Sequence, residues 1–184
     1  MGAVTGAGAD NGVVVVFFRG FLLLLGVVFI CKVKMRVEKL DQSQKMEALE
    51  LAWRVFQEFE APDYSQEGID EFHSFISKVA PTADMQFWGA FHGERMVGMA
   101  ATRVPQHLSL FFVDKEFHRQ GVGRSLFEAL LREFPTGPIT VNSSPYAAPI
   151  YPHYGFVPTS GEQVVNGIRF VPMVYRRHEG GAGQ

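Results

Sequence analysis

The stretch from His107 to Phe134 leaves this chain few choices of fold. Leu108 to Val113, rich in aromatic and branched residues and bounded by polar ones, predicts a buried strand. A short turn follows, and His118-Arg119-Gln120-Gly121-Val122-Gly123 leads into a helix. Its apolar positions, Leu126, Phe127, Leu130, Leu131 and Phe134, recur at the 3.6-residue period and stop at Pro135. The unit is strand, glycine-bearing loop, helix. Two glycines at that junction leave backbone N–H groups uncovered, and the helix start adds unpaired donors and the positive end of its dipole. An anion fits there, with Arg119 and Arg124 reinforcing the sign, although a tight turn would use the same glycines.

Spacing excludes the commoner phosphate loops. A dinucleotide fingerprint needs a third glycine where Leu126 stands, and no Gly-Lys-Ser/Thr follows to make a nucleoside triphosphate loop. A second block lies about twenty residues on: Val141-Asn142-Ser143-Ser144-Pro145-Tyr146, then Ala147-Ala148-Pro149-Ile150-Tyr151-Pro152-His153-Tyr154-Gly155-Phe156. His118 to Gly123 resembles the Arg/Gln-x-x-Gly-x-Gly/Ala signature of the GNAT superfamily of N-acetyltransferases, and the second block resembles that family's strand, short helix and Tyr-x-x-x-Gly-Phe ending. The resemblance covers about Met35 to Arg177. Two positions depart from the pattern: His118 replaces the usual Arg or Gln, and Ser144 stands where many members carry Asn. Neither removes a backbone donor.

The resemblance implies a mixed, mostly antiparallel α/β sheet flanked by helices, splayed at its central strands to hold acetyl-CoA as co-substrate. It implies that the loop His118, Arg119, Gln120, Gly121, Val122, Gly123 and Arg124 cradles the pyrophosphate. The pantetheine arm would run along the backbone of Phe111, Phe112 and Val113, with Ser144 as a side-chain contact. A backbone N–H there would polarise the thioester carbonyl. As side chains, those phenylalanines read as core. Tyr151 matches the family's general acid for the departing thiolate, while Tyr146 and Tyr154 read as packing or channel-lining residues. Ser144 as a plain helix cap would look the same in sequence.

The acceptor side is less determined. An amine of pKa near 10 is about 99% or more protonated at neutral pH, so a base or a water chain is required. His107, and Glu58, Glu60 and Asp63 in the first inter-helix turn, are the candidates, because that turn borders the acceptor in the family. Ordinary solvated surface residues are the competing account of each. The expected activity is transfer of acetyl to a primary amine of a small molecule or peptide by direct attack in a ternary complex; a non-catalytic acyl-CoA-binding sensor or regulatory module is the rival. The chain's one cysteine, Cys31, lies ahead of the domain, which argues against a thiol-linked acyl intermediate and leaves no internal disulfide.

The six histidines show no ligand spacing, so no metal is expected, and a net charge of -2 with no basic stripe argues against nucleic acid. A homodimer is left open. Residues 1–34 form a leader in which Val13 to Ile30 is almost wholly apolar, a candidate membrane segment despite Arg19. The basic residues after it, Lys32, Lys34, Arg36 and Lys39, would leave the following domain on the cytoplasmic side, tethered to the membrane. The favoured alternative is a biological start at Met35, a cytoplasmic protein, and a domain from 35 to 178 that folds without the leader. Residues 179–184 read as a loose glycine-rich tail.

In order, the pattern predicts a strand over 35–40, a helix to about Phe59 capped by Asp41 or Ser43, and a second helix capped by Ser65 and ended by Pro81. Strands follow over 85–91 and 96–103, with Gly98 marking a bulge, then the central unit. A strand over 139–142, a short helix over 146–154 and a hairpin turning at Asn166-Gly167 complete it, with Trp53 and Trp88 in the core.

Overall fold

The computed structural model describes residues 35–79, 85–103 and 106–177. The leader with its apolar segment and Cys31, Pro81 and the tail 179–184 lie outside the described residues. Among the described residues, no helix is long and apolar enough to cross a membrane.

The strands are β1 (Met35–Lys39), β2 (Met85–His92), β3 (Arg95–Arg103), β4 (His107–Val113), β5 (Ile139–Ser143), β6 (Phe156–Pro158), β7 (Gln163–Val165) and β8 (Ile168–Tyr175). They run in the order β1-β2-β3-β4-β5-β8-β6, with β7 paired to β8 off that path. Every pair is antiparallel except β4 with β5. Both faces are covered, which explains why β2 and β3 are apolar at nearly every position instead of alternating. Phe87 and Met99 pack toward α1 (Lys45–Phe59) and α2 (Gln66–Val79), whereas Trp88, Ala90 and Val97 pack with α3 (Val122–Glu133).

The helices sit where their apolar stripes place them. In α1, Leu49, Ala52, Val55 and Phe56 are buried, and Asp41 serves the turn ahead of it. Its Oδ1 accepts from the Ser43 and Gln44 N–H groups at 2.8 and 3.2 Å, so Asp41 acts one turn early and Ser43 does not cap. Ser65 does cap α2, accepting from the Gly68 N–H at 3.3 Å. Trp53 is only half-buried, stacked on Phe56, while Trp88 is buried.

The bulge expected at Gly98 falls at its neighbour Val97, and one expected helix is absent. The β2–β3 register slips so that Val97 has no partner, with Ala90 opposite Gly98 and Phe91 opposite Met96. Gly98 itself serves packing, since a Cβ there would come within 2.8 Å of the Val122 side chain. The expected short helix over 146–154 is a series of turns ending in a 3-10 turn, Tyr151–Tyr154. Pro145, Pro149 and Pro152 each lack the N–H that a continuous helix would use.

Candidate active site

Parallel strands β4 and β5 are joined for only two residues, His107 with Thr140 and Leu108 with Val141. Beyond them the strands part. Ser109 is the extra residue of a bulge against β3, where Ala101 faces Leu110 and Thr102 faces Leu108, and a bulge bends the strand that carries it. From Ser109 to Val113 the β4 backbone therefore has β3 on one side and no strand on the other. Phe111 leans into the gap, its ring centroid 6.2 Å from Tyr151 and 5.8 Å from Tyr154.

The glycine loop closes the wide end of the gap. Asp114, buried at the end of β4, accepts from Arg54 of α1 and Arg95 at the start of β3, both at 2.9 Å, and so pins the loop's first residue. Removing either guanidinium would leave a largely buried carboxylate half-paired. His118 Nε2 bonds the Val113 carbonyl at 2.8 Å, and its ring lies 5.4 Å from Phe59. Gln120 Nε2 donates to the Glu116 carbonyl at 2.6 Å. Arg119 (φ 59°) and Gly121 (φ 82°) take left-handed conformations that turn the chain into α3. The N–H groups of Val122, Gly123 and Arg124, at the first turn of α3, have no intrahelical acceptors.

Gly121 has open space where a Cβ would project, whereas a Cβ on Gly123 would run into the Tyr154 hydroxyl. The space at Gly121 is what an anion needs to reach the helix start. Gly121→Val is therefore expected to abolish the rise in Tm caused by acetyl-CoA, and to lower the Tm of the free protein through left-handed strain of roughly 1–3 kcal/mol. Differential scanning fluorimetry with and without acetyl-CoA measures both; an undiminished ligand shift would remove the loop as the anion site.

A cavity of about 400 Å³ occupies the gap and its acceptor side. Tyr151, Glu60 and Ser144 come together in its wall beside Phe111. Tyr151 is buried, and burial, followed by the nearby Glu60 charge, holds its phenol well above the ordinary tyrosine range. Glu60 stands just past the end of α1, where burial pushes its carboxyl up to about 7, opposed by the Ser144 hydroxyl. Tyr64 also lines the space and donates to the Arg169 carbonyl at 2.7 Å; burial and then the Glu60 charge raise its pKa. The β7–β8 hairpin forms the far wall, seated on α2 where Gly68 and Gly167 touch backbone to backbone. A Cβ on Gly68 would collide with the Gly167 carbonyl, so that contact tolerates no side chain.

The candidates named from sequence fall into three groups. Glu60, His107, Phe111, Phe112, Ser144 and Tyr151 share the cavity. Loop residues 118–124 and Val113 lie outside its lining, at the end of β4 and the start of α3. Glu58 turns away, bonding Lys115 at 2.6 Å, and Asp63 is exposed with its carbonyl accepting from Arg169 at 3.3 Å. His107 is half-buried with Nδ1 2.9 Å from Thr140 Oγ1, and burial, then the Arg103 charge, lowers its pKa. Tyr146 stacks on Phe59 outside the cavity, with centroids 5.4 Å apart. Arg103, Tyr64 and Arg169 were not anticipated. An arginine closing an apolar strand, as Arg103 does, was the available signal. Among the described residues, no group of His, Cys, Asp or Glu is arranged to hold a metal ion.

The geometry is a splayed sheet with a glycine-bearing helix start at one side of the gap and a tyrosine–carboxyl pair inside it. Residues 60–177 match the model of the acetyltransferase (GNAT) domain, and the chain belongs to that family of acyltransferases. An N-acetyltransferase of Escherichia coli strain K12, YafP, itself uncharacterised, is 30% identical over 82 residues, 45% of this chain and 53% of YafP. The match thus spans about half the length of that relative. Among solved structures, a GCN5-related N-acetyltransferase of Rhodopseudomonas palustris aligns with a TM-score of 0.65 at 19% identity, over 77% of this chain and 95% of that one. The PaiA N-acetyltransferase of Thermoplasma acidophilum, solved with coenzyme A, aligns with a TM-score of 0.55 at 16% identity, over 78% and 99% of the two chains. These two share the fold.

Proposed function

We propose that the chain is an N-acetyltransferase that moves the acetyl group of acetyl-CoA directly to a primary amine in a ternary complex. The observation that carries this is the convergence of Tyr151 and Glu60 in the cavity where β4 and β5 part. The pyrophosphate is held by the backbone at Gly121 to Arg124, and the pantetheine arm takes the place of β5 along Phe111 to Val113, where the Val113 carbonyl is already engaged by His118. With acetyl-CoA so placed, its thioester points toward Tyr151.

Chemistry then divides between two side chains. Glu60, with a carboxyl near 7, is partly ionised at neutral pH and takes a proton from the incoming ammonium, directly or through a water, so that the free amine attacks the thioester carbon. The tetrahedral intermediate collapses, the C–S bond breaks, the Tyr151 phenol, kept neutral by burial, gives its proton to the leaving thiolate, and the second proton shed by the new amide nitrogen restores Tyr151 through water. Thiol release followed at steady state across a panel of amines tests the reading. Turnover of at least one primary amine with matching acetyl-amine product is expected; saturable CoA binding without turnover of any amine would favour the non-catalytic module instead.

A further inference from the structure

We propose that the acceptor is a primary amine whose apolar, ring-sized body ends in an anionic group, and that Arg103 reads that group. The inference rests on the proposed transfer reaction and adds the acceptor's chemical class. The amine end of the cavity is set by Glu60 and Tyr151 beside Phe111. At the other end, Arg103 closes β3 with its Nε donating to Ser109 Oγ at 3.2 Å and its guanidinium 6.0 Å from the centre of the Phe75 ring. Ser109 is the bulged residue of β4 and itself lines the cavity, so its side chain fixes the guanidinium at the cavity's edge. Arg103 also bonds no carboxylate among the described residues.

The distance and the walls select the body between these ends. Ser109, which holds Arg103, and Phe111, which packs on Tyr151, are two residues apart on β4, on the order of 7 Å of strand, so a ring-sized body is in scale with the cavity wall between them. Phe72 and Phe75 form one side of that span; Phe72 is stacked on Phe56 at 4.0 Å and set edge-on to Phe112 at 6.0 Å, a rigid apolar face. Charge decides the far group. His107, beside Arg103, is held toward its neutral form by burial, leaving Arg103 as the fixed cation at this end. Glu71 also lines the cavity from α2, but it is exposed and no side chain among the described residues fixes its carboxylate. A guanidinium tethered in place and backed by a ring binds a carboxylate with little further loss of freedom.

The test uses three probes of one shape: 4-(aminomethyl)benzoate, 4-methylbenzylamine and 1,4-bis(aminomethyl)benzene, which end in a carboxylate, a methyl and an ammonium. Wild-type protein is expected to show kcat/KM roughly tenfold or more higher for the carboxylate than for the methyl probe, the scale of a hydrogen bond to a charged group. Arg103→Gln should bring the carboxylate-to-methyl ratio, measured within the variant itself, close to one while leaving the acetyl-CoA thermal shift near wild type. Arg103→Glu should reverse it in favour of the ammonium probe. Equal rates for carboxylate and methyl probes, or a wild-type preference for the ammonium probe, would overturn the inference and leave the transfer reaction standing. No turnover of any amine would instead remove the reaction on which it rests.

Discussion

Tyr151→Phe is expected to lower kcat about 10²-fold or more while leaving the affinity for acetyl-CoA nearly unchanged. The ring keeps its packing, with its centroid 5.2 Å from Phe156 and 6.2 Å from Phe111, so only the proton is lost. A phenol is suited to the step. It stays protonated across neutral pH because burial opposes its ionisation, yet it can donate as negative charge develops on a thiolate whose own acid has a pKa of about 8.5 if it resembles cysteine. Tyr154→Phe and Tyr146→Phe are the controls. Tyr154 directs its hydroxyl to the start of α3 at Gly123, and Tyr146 lies outside the cavity against Phe59, so each should cost far less than Tyr151. Presteady-state thiol release with saturating amine isolates the step. Near-normal kcat in Tyr151→Phe together with a large loss in Tyr154→Phe would move the acid to the other tyrosine.

The second large effect concerns pH. If Glu60 is the base, kcat/KM for the amine should fall about tenfold per pH unit below about 7, and Glu60→Gln should lower kcat/KM by roughly 10²–10³ while flattening that limb. Stability supplies an independent readout. A carboxyl whose folded pKa lies near 7, against an ordinary 4.5, binds more protons in the folded state than in the unfolded state between those values. The unfolding free energy therefore declines as pH rises through that window, and the penalty is fully present above it. Glu60→Gln removes the penalty, so the variant should gain in Tm relative to wild type at pH 8 and not at pH 4. An acid limb unchanged in Glu60→Gln would remove it as the base.

Sequence carried the central unit because three independent signals overlap there: an unbroken apolar run, two glycines at one junction and a stripe of helical period ended by a proline. Such overlap is absent elsewhere. Glu58 and Glu60 are indistinguishable in sequence, yet one residue past the end of α1 the backbone changes course, and Glu60 enters the cavity while Glu58 pairs with Lys115. Arg103 and Phe75 looked like a strand end and a core position because nothing local says that β4 and α2 leave a space between them. The short helix expected over 146–154 followed from the family resemblance, and Pro145 just ahead of that stretch with Pro149 and Pro152 inside it outweigh the expectation. The β4 bulge at Ser109 had no sequence mark at all, since no glycine or proline accompanies it.

The contact between Gly68 and Gly167 has a bearing on how the acceptor preference could be altered. Strand β7 is attached to β8 alone and lies off the main sheet, so the hairpin is a detachable cassette resting on a two-glycine seat. The glycine loop at 118–124, the β4–β5 junction and Tyr151 all belong to other segments. Exchanging residues 160–170 for a different hairpin, with the seat retained, would recast one wall of the cavity without disturbing the machinery of transfer. Lineages and engineers alike could thus vary the amine while the thioester chemistry is inherited intact.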